Sequence, residues 1–324
     1  MSVSLDFMSE ELFILIGILI NEAMKETMSA LNGLLSSFHL NATIFHRSLV
    51  CDPWSTDTSG SGLASFHLIS SGKAFLFCDD YQAEPLTAGD LVIFPHDSPH
   101  IISHSPDKQT AITTDGFVAY PFSNNTPHSA GLMCGYFDFK EDSSHPVITQ
   151  LPSCILIKSQ QNQSVLASII ESLILEVTLG VQASDIILSR LSEVFFLSLL
   201  RQLSTEGNTQ MGLFRALQDT KMAKVLQAIN NNLAAPWDLN SLANVGGYSR
   251  ASFINHFKNY LDTTPQEYLS QLRLSKAKKQ LIRGDAVLKV ALDVGYSNDV
   301  SFAKAFKRYF GYGPGVCRAN SSSS

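Results

Sequence analysis

The sequence predicts an α+β protein of two domains, a β-rich N-terminal domain followed by an all-α C-terminal domain. Short apolar runs separated by Gly, Pro, Asp and Ser turns fill residues 31–157, as in a small β-barrel or sandwich. Residues 161–203 change to a helical period. Residues 238–318 contain one helical pattern written twice, which indicates a tandem unit. At 324 residues and 35.5 kDa the chain has room for both domains.

The N-terminal 30 residues are predicted to be an extension outside the first domain. Residues 12–20 are uninterruptedly apolar, but nine residues are too few to cross a bilayer, which takes about 20. The preceding segment is acidic, where a signal peptide carries positive charge. We interpret the extension as an extra helix, or as leader sequence upstream of a later start at Met24 or Met28. We therefore expect no membrane role.

Residues 31–157 are predicted to form the barrel, with strands at 64–69, 74–78, 91–94 and 133–139. The most informative segment runs from Gly89 to His100. Its Gly-Asp turn leads into a strand that ends at Pro95, and His100 is expected to close the next strand. This segment resembles the second conserved motif of the cupin fold, with Asp97 in place of the usual Gly. The resemblance implies a cupin-like barrel.

Residues 161–203 are predicted to form two amphipathic helices broken near Gly180. Each apolar arc is broad enough to leave one face exposed after the helix packs on the barrel, and exposed apolar faces often mark subunit interfaces. We interpret the pair as a dimerisation element. Packing onto the chain's own barrel alone is the open alternative. Residues 204–211 are expected to be a linker, and residues 321–324 a disordered tail.

The tandem pattern lies in the predicted C-terminal domain, residues 212–320. Ala243 and Ala291 are 48 residues apart, whereas Phe253 and Phe302 are 49 apart, so the second copy has one extra residue after its turn. Each copy has a short apolar helix with a small residue for close packing, then a Gly that can end a helix in the left-handed conformation. Ser249 or Ser297 is expected to cap the next helix.

The second helix of each copy has Phe at i and i+4, one buried stripe on an otherwise polar helix. Helix, tight turn and helix form a helix-turn-helix, whose second helix can enter the DNA major groove. A long helix over residues 265–283 is predicted to join the copies. Two ordinary helical hairpins would be the alternative for a single copy, but the tandem favours two exposed helices on one rigid body.

Residues 221–318 resemble the DNA-binding domain of the AraC family of bacterial transcription regulators. The matching segments include Trp237 to Ala243, Tyr248-Ser249-Arg250, Thr264 to Leu269, Leu272-Arg273-Leu274, Val294-Gly295-Tyr296 and Ala305 to Gly311. Trp54, Phe66-His67-Leu68, Gly72-Lys73, Cys134-Gly135 and Leu151-Pro152 further resemble the cupin-type sensor half of one branch of that family. Three positions depart from the family pattern: Asn255, where Arg is common; His256, at a usually apolar position; and Cys317, before Arg318.

The resemblance also implies which side chains contact DNA. Because the Phe pairs fix the buried faces, Arg250, Ala251, Ile254 and Asn255 should point outward in the first recognition helix. In the second helix, Asp299, Val300, Ser301 and Lys304 should do so. The family assigns base contact to Ala251, Ile254, Asn255, Val300, Ser301 and Lys304. The basic residues Arg250, Lys258, Lys307 and Arg308 lie on or beside these helices and complete the predicted DNA-binding set.

Charge divides between the two halves. From residue 221 onward there are 14 Lys and Arg against 6 Asp and Glu, a balance of +8, while the remainder has 9 against 23, a balance of −14. A basic unit attached to an acidic one is typical of a nucleic-acid binder with a sensor or partner domain. A solvated basic helix at 276–279 is the alternative. Five Cys without a C-x-x-C pair fit a reduced cytoplasm better than a disulfide framework or a zinc site.

Three histidines are candidates for a site in the barrel. Cupin enzymes combine a His-x-His motif and a Glu with a later His to hold a divalent metal. The first motif here contains only His67, although His100 and His104 could converge on it if they lie on neighbouring strands. We interpret the three as lining an effector pocket or as surface histidines. We expect no metal, no cofactor and no catalytic residues.

The sequence thus predicts a cytoplasmic, sequence-specific regulator that binds double-stranded promoter DNA. Its partners would be a small-molecule effector for the cupin-like domain, a second copy of the chain in a homodimer, and RNA polymerase at an activated promoter. A metal-dependent cupin enzyme with a fused DNA-binding domain is the main alternative. An architectural DNA-bending protein without an effector is the third.

Overall fold

The structure is a computed structural model that describes residues 28–33, 35, 40–114, 116–122, 129–139, 145–159, 165–205 and 212–320. The apolar run at 12–20, the linker beyond residue 205 and the tail at 321–324 lie outside the described residues. Predictions about these three segments therefore stay predictions.

The chain forms two compact units. One contains residues 39–140 and 151–200; the other contains residues 1–38, 141–150 and 201–324. Residues 28–33 are helical and belong to the second unit, where Gln227 Nε2 donates to Ser29 Oγ at 2.6 Å. The units are thus assembled from interleaved segments, whereas the predicted domains are continuous stretches of chain.

The first unit is built from two antiparallel sheets. Its strands are β1 Asn41–Cys51, β2 Ser55–Thr56, β3 Ala64–Ser71, β4 Lys73–Phe77, β5 Glu84–Thr87, β6 Leu91–Phe94, β7 Ile101–Ser103, β8 Ala119–Tyr120, β9 Ser129–Asp138 and β10 Ile155–Ile157. The six-stranded sheet has the order β10-β6-β3-β9-β1-β8, and the four-stranded sheet the order β2-β7-β4-β5. Side chains such as Trp54, Ile69, Leu86, Phe94 and Ile102 form a buried core.

The predicted strands are confirmed in position. Central strands β3 and β6 are buried along almost their whole length. Strand β6 is accordingly a continuous apolar run, whereas β3 also buries Ser65 and His67. One expectation is wrong: His100 does not close a strand but precedes β7 directly. Strand β1 contains a bulge at Phe45, since Ile44 pairs with Gly135 and His46 with Cys134. A bulge re-aims the neighbouring side chains and bends the strand.

Helices complete the first unit. They are α1 Lys108–Thr113, α3 Val165–Thr178 and α4 Asp185–Thr205, with a 3₁₀ turn at Gly180–Gln182 between the last two. The last five residues of α4 belong to the second unit. The break near Gly180 is confirmed. Helix α3 buries Leu166, Ile170, Leu173 and Val177, while α4 packs Phe196 against Phe137 of β9 with ring centroids 4.8 Å apart.

The second unit is helical where it is described. Its helices are α2 Pro146–Thr149, α5 Gly212–Gln218, α6 Thr220–Asn231, α7 Leu239–Val245, α8 Arg250–Leu261, α9 Pro265–Ile282, α10 Val287–Asp293, α11 Asp299–Phe310 and α12 Pro314–Asn320. The long joining helix is confirmed as α9. In the described part of the chain, no helix is long and apolar enough to cross a bilayer.

Candidate nucleic-acid interface

The first helix-turn-helix consists of α7 and α8. Asp238 caps α7 by accepting from Ser241 N at 2.7 Å, and the Ser241 hydroxyl accepts from Asp238 N at 2.9 Å. The chain then turns through Gly247, whose φ of +65° is left-handed, and Tyr248 N donates to Ala243 O at 2.9 Å. Ser249 caps α8, as predicted.

The second helix-turn-helix, α10 and α11, repeats this geometry. Gly295 has φ +89°, and Tyr296 N donates to Ala291 O at 2.9 Å. The prediction that Ser297 caps this helix is wrong. Asn298 caps α11 instead, and its Oδ1 accepts from Ser301 N at 2.8 Å. The residue that the second copy gained after its turn has moved the cap by one position.

Buried aromatic pairs fix the orientation of both recognition helices. Phe253 and Phe257 are fully buried with ring centroids 5.6 Å apart, and Phe302 and Phe306 are fully buried at 5.5 Å. Because residues on the opposite side of a helix must then face away from the core, these pairs select the outward set. The predicted Phe stripes are confirmed in both copies.

The predicted DNA-contacting side chains lie on the outward faces. The exposed residues are Arg250, Ala251, Asn255, Lys258, Val300, Lys304, Lys307 and Arg308, whereas Ile254 and Ser301 are partly exposed. The Ser301 hydroxyl donates to Asn298 O at 3.1 Å, so this side chain is held near the start of α11. His256, which departs from the family pattern, is also exposed, and its Nδ1 lies 2.8 Å from Ser252 O. Cys317, which also departs from that pattern, is buried in the core around α11.

Helix α9 connects the two copies within one unit. It begins with a capping box, in which Thr264 Oγ1 accepts from Glu267 N at 3.2 Å and Glu267 Oε2 accepts from Thr264 N at 3.1 Å. Arg273 on this helix donates to Leu233 O at 2.9 Å and to Ala235 O at 2.6 Å, in the turn before α7. These bonds join the connecting helix to the first copy.

Asp219 is a positioning residue that the sequence reasoning missed. Its carboxylate caps α6 by accepting from Lys221 N and Met222 N, and it also accepts from Tyr248 Oη at 3.3 Å and Tyr260 Oη at 3.0 Å. Burial and the Asp219 charge raise the pKa of both tyrosines, so their hydroxyls stay protonated donors. An Asp before a helix signals a cap, but nothing local signals its contacts with the turn and with α8.

Two of the three candidate histidines meet inside the first unit. His67 Nε2 lies 3.1 Å from His100 Nε2, and the Thr58 hydroxyl bridges them at 3.1 and 3.0 Å. His67 Nδ1 is 3.1 Å from Cys134 Sγ, and His100 Nδ1 is 2.7 Å from Ser98 O. His104 does not join them, because its Nδ1 lies 2.9 Å from Trp54 O.

Burial lowers the pKa of both His67 and His100, so both rings are neutral at pH 7. One tautomer set satisfies the cluster: His100 Nδ1–H donates to Ser98 O, Thr58 O–H donates to His100 Nε2, and His67 Nε2–H donates to Thr58 Oγ1. Cys134 S–H then donates to His67 Nδ1. This donor set does not fit an open divalent-metal site, because the ring nitrogens and the thiol already form hydrogen bonds within the cluster and to Ser98 O. Across the described residues, no group of three or more His, Cys, Asp and Glu is placed to hold a metal ion.

Comparison with known proteins agrees with the two-part architecture. The cupin family profile matches residues 29–205, and a helix-turn-helix domain profile matches residues 242–320. The chain belongs to the AraC-type transcriptional regulators with an N-terminal cupin domain. The cupin match covers more than half of the chain, and the helix-turn-helix match covers α7 to α12. The protein is therefore a DNA-binding transcription regulator.

Relatives extend over most of this regulator. An HTH-type transcriptional regulator of Haemophilus influenzae is 26% identical over 81% of this chain and 88% of its own length. MtrA of Neisseria gonorrhoeae, an HTH-type transcriptional regulator, is 25% identical over 78% and 85%. RclR of Escherichia coli K12, an RCS-specific HTH-type transcriptional activator, is 27% identical over 90% and 97%.

Proposed function

We propose that this regulator is a cytoplasmic homodimer that binds promoter DNA through α8 and α11 and activates transcription by RNA polymerase in response to a small molecule. The observation that carries the proposal is the pair of capped recognition helices. Each has a buried Phe pair and an outward face that combines polar or basic side chains with small apolar ones, and both belong to one unit. The proposed DNA-binding residues are the ten predicted ones, with base contacts made by the outward residues in the N-terminal half of each helix.

Base readout is proposed to depend most on Asn255 in α8 and Lys304 in α11. Asn can pair bidentately with adenine and Lys can donate to guanine, each giving about 1 to 3 kcal/mol of discrimination. Ala251, Ile254 and Val300 can contact only thymine methyl groups. Since one unit carries both helices, the two target segments should lie about 10 base pairs apart on one face of the duplex.

Selection of bound sequences from random DNA tests this assignment. Asn255→Ala should relax the preferred motif in one segment and Lys304→Ala in the other, with the remaining segment unchanged. Lys276→Ala on α9 is a matched control, because Lys276 is exposed but lies outside the recognition helices. If both recognition-helix variants returned the parental motif at full strength, the proposed reading residues would be wrong.

The homodimer is proposed to form through the exposed side of α4. Ile187 and Val194 are 48% and 49% exposed and lie seven residues apart, two turns along one helical face. Val194→Asp should reduce the dimer fraction in sedimentation experiments. Ile112→Asp, at an exposed position on α1, should not. An unchanged mass distribution for Val194→Asp would reject this interface.

The N-terminal domain is proposed to bind a small molecule rather than convert one. Support comes from the buried His67–His100 cluster, whose neutral rings are bridged by the Thr58 hydroxyl and whose His67 bonds to Cys134. A metal-dependent enzyme would need these nitrogens for the metal. Metal analysis of the purified protein, with and without added Mn²⁺, Fe²⁺ or Zn²⁺, tests this: a stoichiometric metal lost in His67→Gln would favour the enzyme.

The domain boundary is proposed to lie in the linker at 204–211. A fragment from residue 212 to 320 should then bind the selected DNA, and a fragment ending at residue 203 should not. Residues 28–33 and 145–150 cluster with the helical unit, so the short fragment should be less stable than the same unit in the full chain. DNA binding by the N-terminal fragment alone would contradict this division of labour.

A further inference from the structure

A crevice of about 630 Å³ opens on the first unit between a strand and a helical turn. Its walls come from β1 at residues 44–48, from β8 and the residues after it at 119–122, and from the turn between α3 and α4 at 178–181. The volume lies within the range of about 300 to 1,000 Å³ that is usual for small-molecule sites. The crevice is separate from the His67–His100 cluster, none of whose residues lines it.

The crevice holds large apolar side chains that are open to water. Phe45 is 46% exposed, Leu179 51% and Val181 99%. Phe45 is the bulged residue of β1, and its ring stacks on Tyr136 with centroids 4.6 Å apart, so the bulge holds it at the surface. Exposed apolar side chains that line a crevice favour an apolar ligand, because binding removes their surface from water.

Arg47 lies on the polar side of the crevice, where its charge is neutralised by the Asp185 carboxylate. Its Nη1 donates to Gly180 O at 2.6 Å, its Nε to Asp185 Oδ1 at 3.0 Å and its Nη2 to Ala183 O at 3.4 Å. All three guanidinium nitrogens are thus used on the α3–α4 turn. One Arg and one Asp leave no net charge on this wall, so a charged ligand would lose its water without gaining a counter-ion.

His46 supplies a neutral hydrogen-bonding group. Burial lowers the pKa of His46, so its ring is uncharged at pH 7. Its Nε2 lies 3.0 Å from Ser48 Oγ, and the ring meets Phe117 edge-on at 4.6 Å. The Thr178 hydroxyl on the opposite wall donates to Leu175 O at 2.9 Å and keeps its lone pairs as acceptors.

We propose that this crevice is the effector site, and that the effector is an uncharged, largely apolar small molecule with one hydrogen-bonding group, such as an alcohol, ketone or phenol. The regulatory part of this inference rests on the proposed function. The ligand would contact the turn that leads into α4. That helix is also tied to β1 by Glu193, whose Oε1 accepts from Ala42 N at 3.2 Å. Occupancy is therefore transmitted to the helix proposed to pair the subunits.

A neutral fluorescent probe tests the site in the full-length protein. N-phenyl-1-naphthylamine should bind saturably, and 1-octanol should displace it. Octanoate and octylamine at the same concentration should compete at least ten-fold more weakly. Val181→Asp places a carboxylate in the crevice at a fully exposed position and should weaken probe binding at least ten-fold. Leu179→Ser should weaken it by a smaller factor.

Ile112→Asp is the matched control, because Ile112 is 56% exposed in the same unit and does not line the crevice. Equal probe binding by wild type, Val181→Asp and Ile112→Asp would overturn the site. Stronger competition by octanoate or octylamine than by octanol would overturn the ligand class. If Val181→Asp altered the mass distribution in sedimentation but not probe affinity, the crevice would be an interface between copies, and the proposal would be wrong.

The same proteins are then titrated with the DNA motif selected by the full chain. Saturating 1-octanol should change the Kd of wild type for that motif at least three-fold and leave Val181→Asp unchanged. DNA binding that octanol does not alter would overturn the regulatory role while the proposed DNA function stands. Failure of the full chain to bind any selected DNA, with probe binding intact, would reject the proposed function and support only the ligand site.

Discussion

Alanine substitutions at Gly247 and Gly295 compare two equivalent turns of the repeat. Both glycines have left-handed φ, at +65° and +89°. An L-residue in that conformation costs about 1 to 2 kcal/mol, while the loss of unfolded-chain entropy returns about 0.4 to 1 kcal/mol. At Gly247, no described atom beyond the chain neighbours lies within 4 Å of a new Cβ. The net cost of Gly247→Ala should therefore be at most about 1.6 kcal/mol, the largest difference between those two terms.

Gly295 is packed against the turn before α7. A Cβ there would lie 2.6 Å from Ala234 O and 2.9 Å from both Ala234 Cα and Arg273 Nη2. Backbone atoms cannot yield as a side chain can, and overpacking costs about 1 to 3 kcal/mol. Moving the Arg273 guanidinium also strains its 2.6 Å bond to Ala235 O. Since the left-handed strain and the entropy offset are common to both glycines, Gly295→Ala should cost about 1 to 3 kcal/mol more than Gly247→Ala, which is the overpacking term.

Hydrogen exchange with mass spectrometry of the full chain measures this difference. Protection of peptides from α9 should fall at least about five-fold further in Gly295→Ala than in Gly247→Ala, since each 1.4 kcal/mol corresponds to a factor of about ten. In Gly247→Ala it should fall less than about 15-fold, the factor that matches about 1.6 kcal/mol. Peptides from β3 and β9 are an internal reference and should not change. Equal losses in the two variants would refute the inference that the second turn is held by tertiary contact and the first is not.

Three further predictions test the cap, the docking face and a buried histidine. Thr264→Ala should destabilise the helical unit by about 1 kcal/mol in urea titrations, because it removes one half of the α9 capping box. Lys307→Ala should make the slope of log affinity against log salt shallower by about 0.9, whereas Lys276→Ala should leave it unchanged. Burial and then the nearby Lys279 charge lower the pKa of His145 to about 3, so the folded protein keeps this ring neutral. The free energy of unfolding should then fall as pH drops from about 6.5 towards 3, by at most about 1.4 kcal/mol per pH unit. The His145→Asn variant keeps a capping acceptor and should flatten that dependence. A variant with the same dependence of stability on pH as wild type would contradict the prediction.

Local patterns predicted the elements of this fold well. Helical period and the Phe pairs marked the buried faces of α8 and α11, because a stripe every three to four residues reports directly on which side is buried. The break near Gly180 and the start of α9 at Thr264-Pro265 followed from the chemistry of helix ends. These features depend on residues close in sequence, so the sequence alone is sufficient to find them.

Contacts between distant residues were not predictable in this way. Asn298 replaced Ser297 as a cap because both residue types can cap, and only the three-dimensional turn selects one. His100 was expected beside both His67 and His104, but the register of β7 turns His104 towards Trp54. The roles of Asp219 and Phe45 depend on packing against elements far along the chain or on a bulge, and neither leaves a periodic signal.

The turn at residues 233–235 is held from two directions, by Arg273 of the connecting helix and by Gly295 of the second copy. These contacts help to set the distance between the two recognition helices, α8 and α11, within the folded unit. One base pair inserted between the target segments would shift one of them by about 3.4 Å and rotate it by about 35°. Because Arg273 bonds to the turn from the connecting helix, we expect operators of this regulator to tolerate base substitution more readily than insertion or deletion between the two target segments.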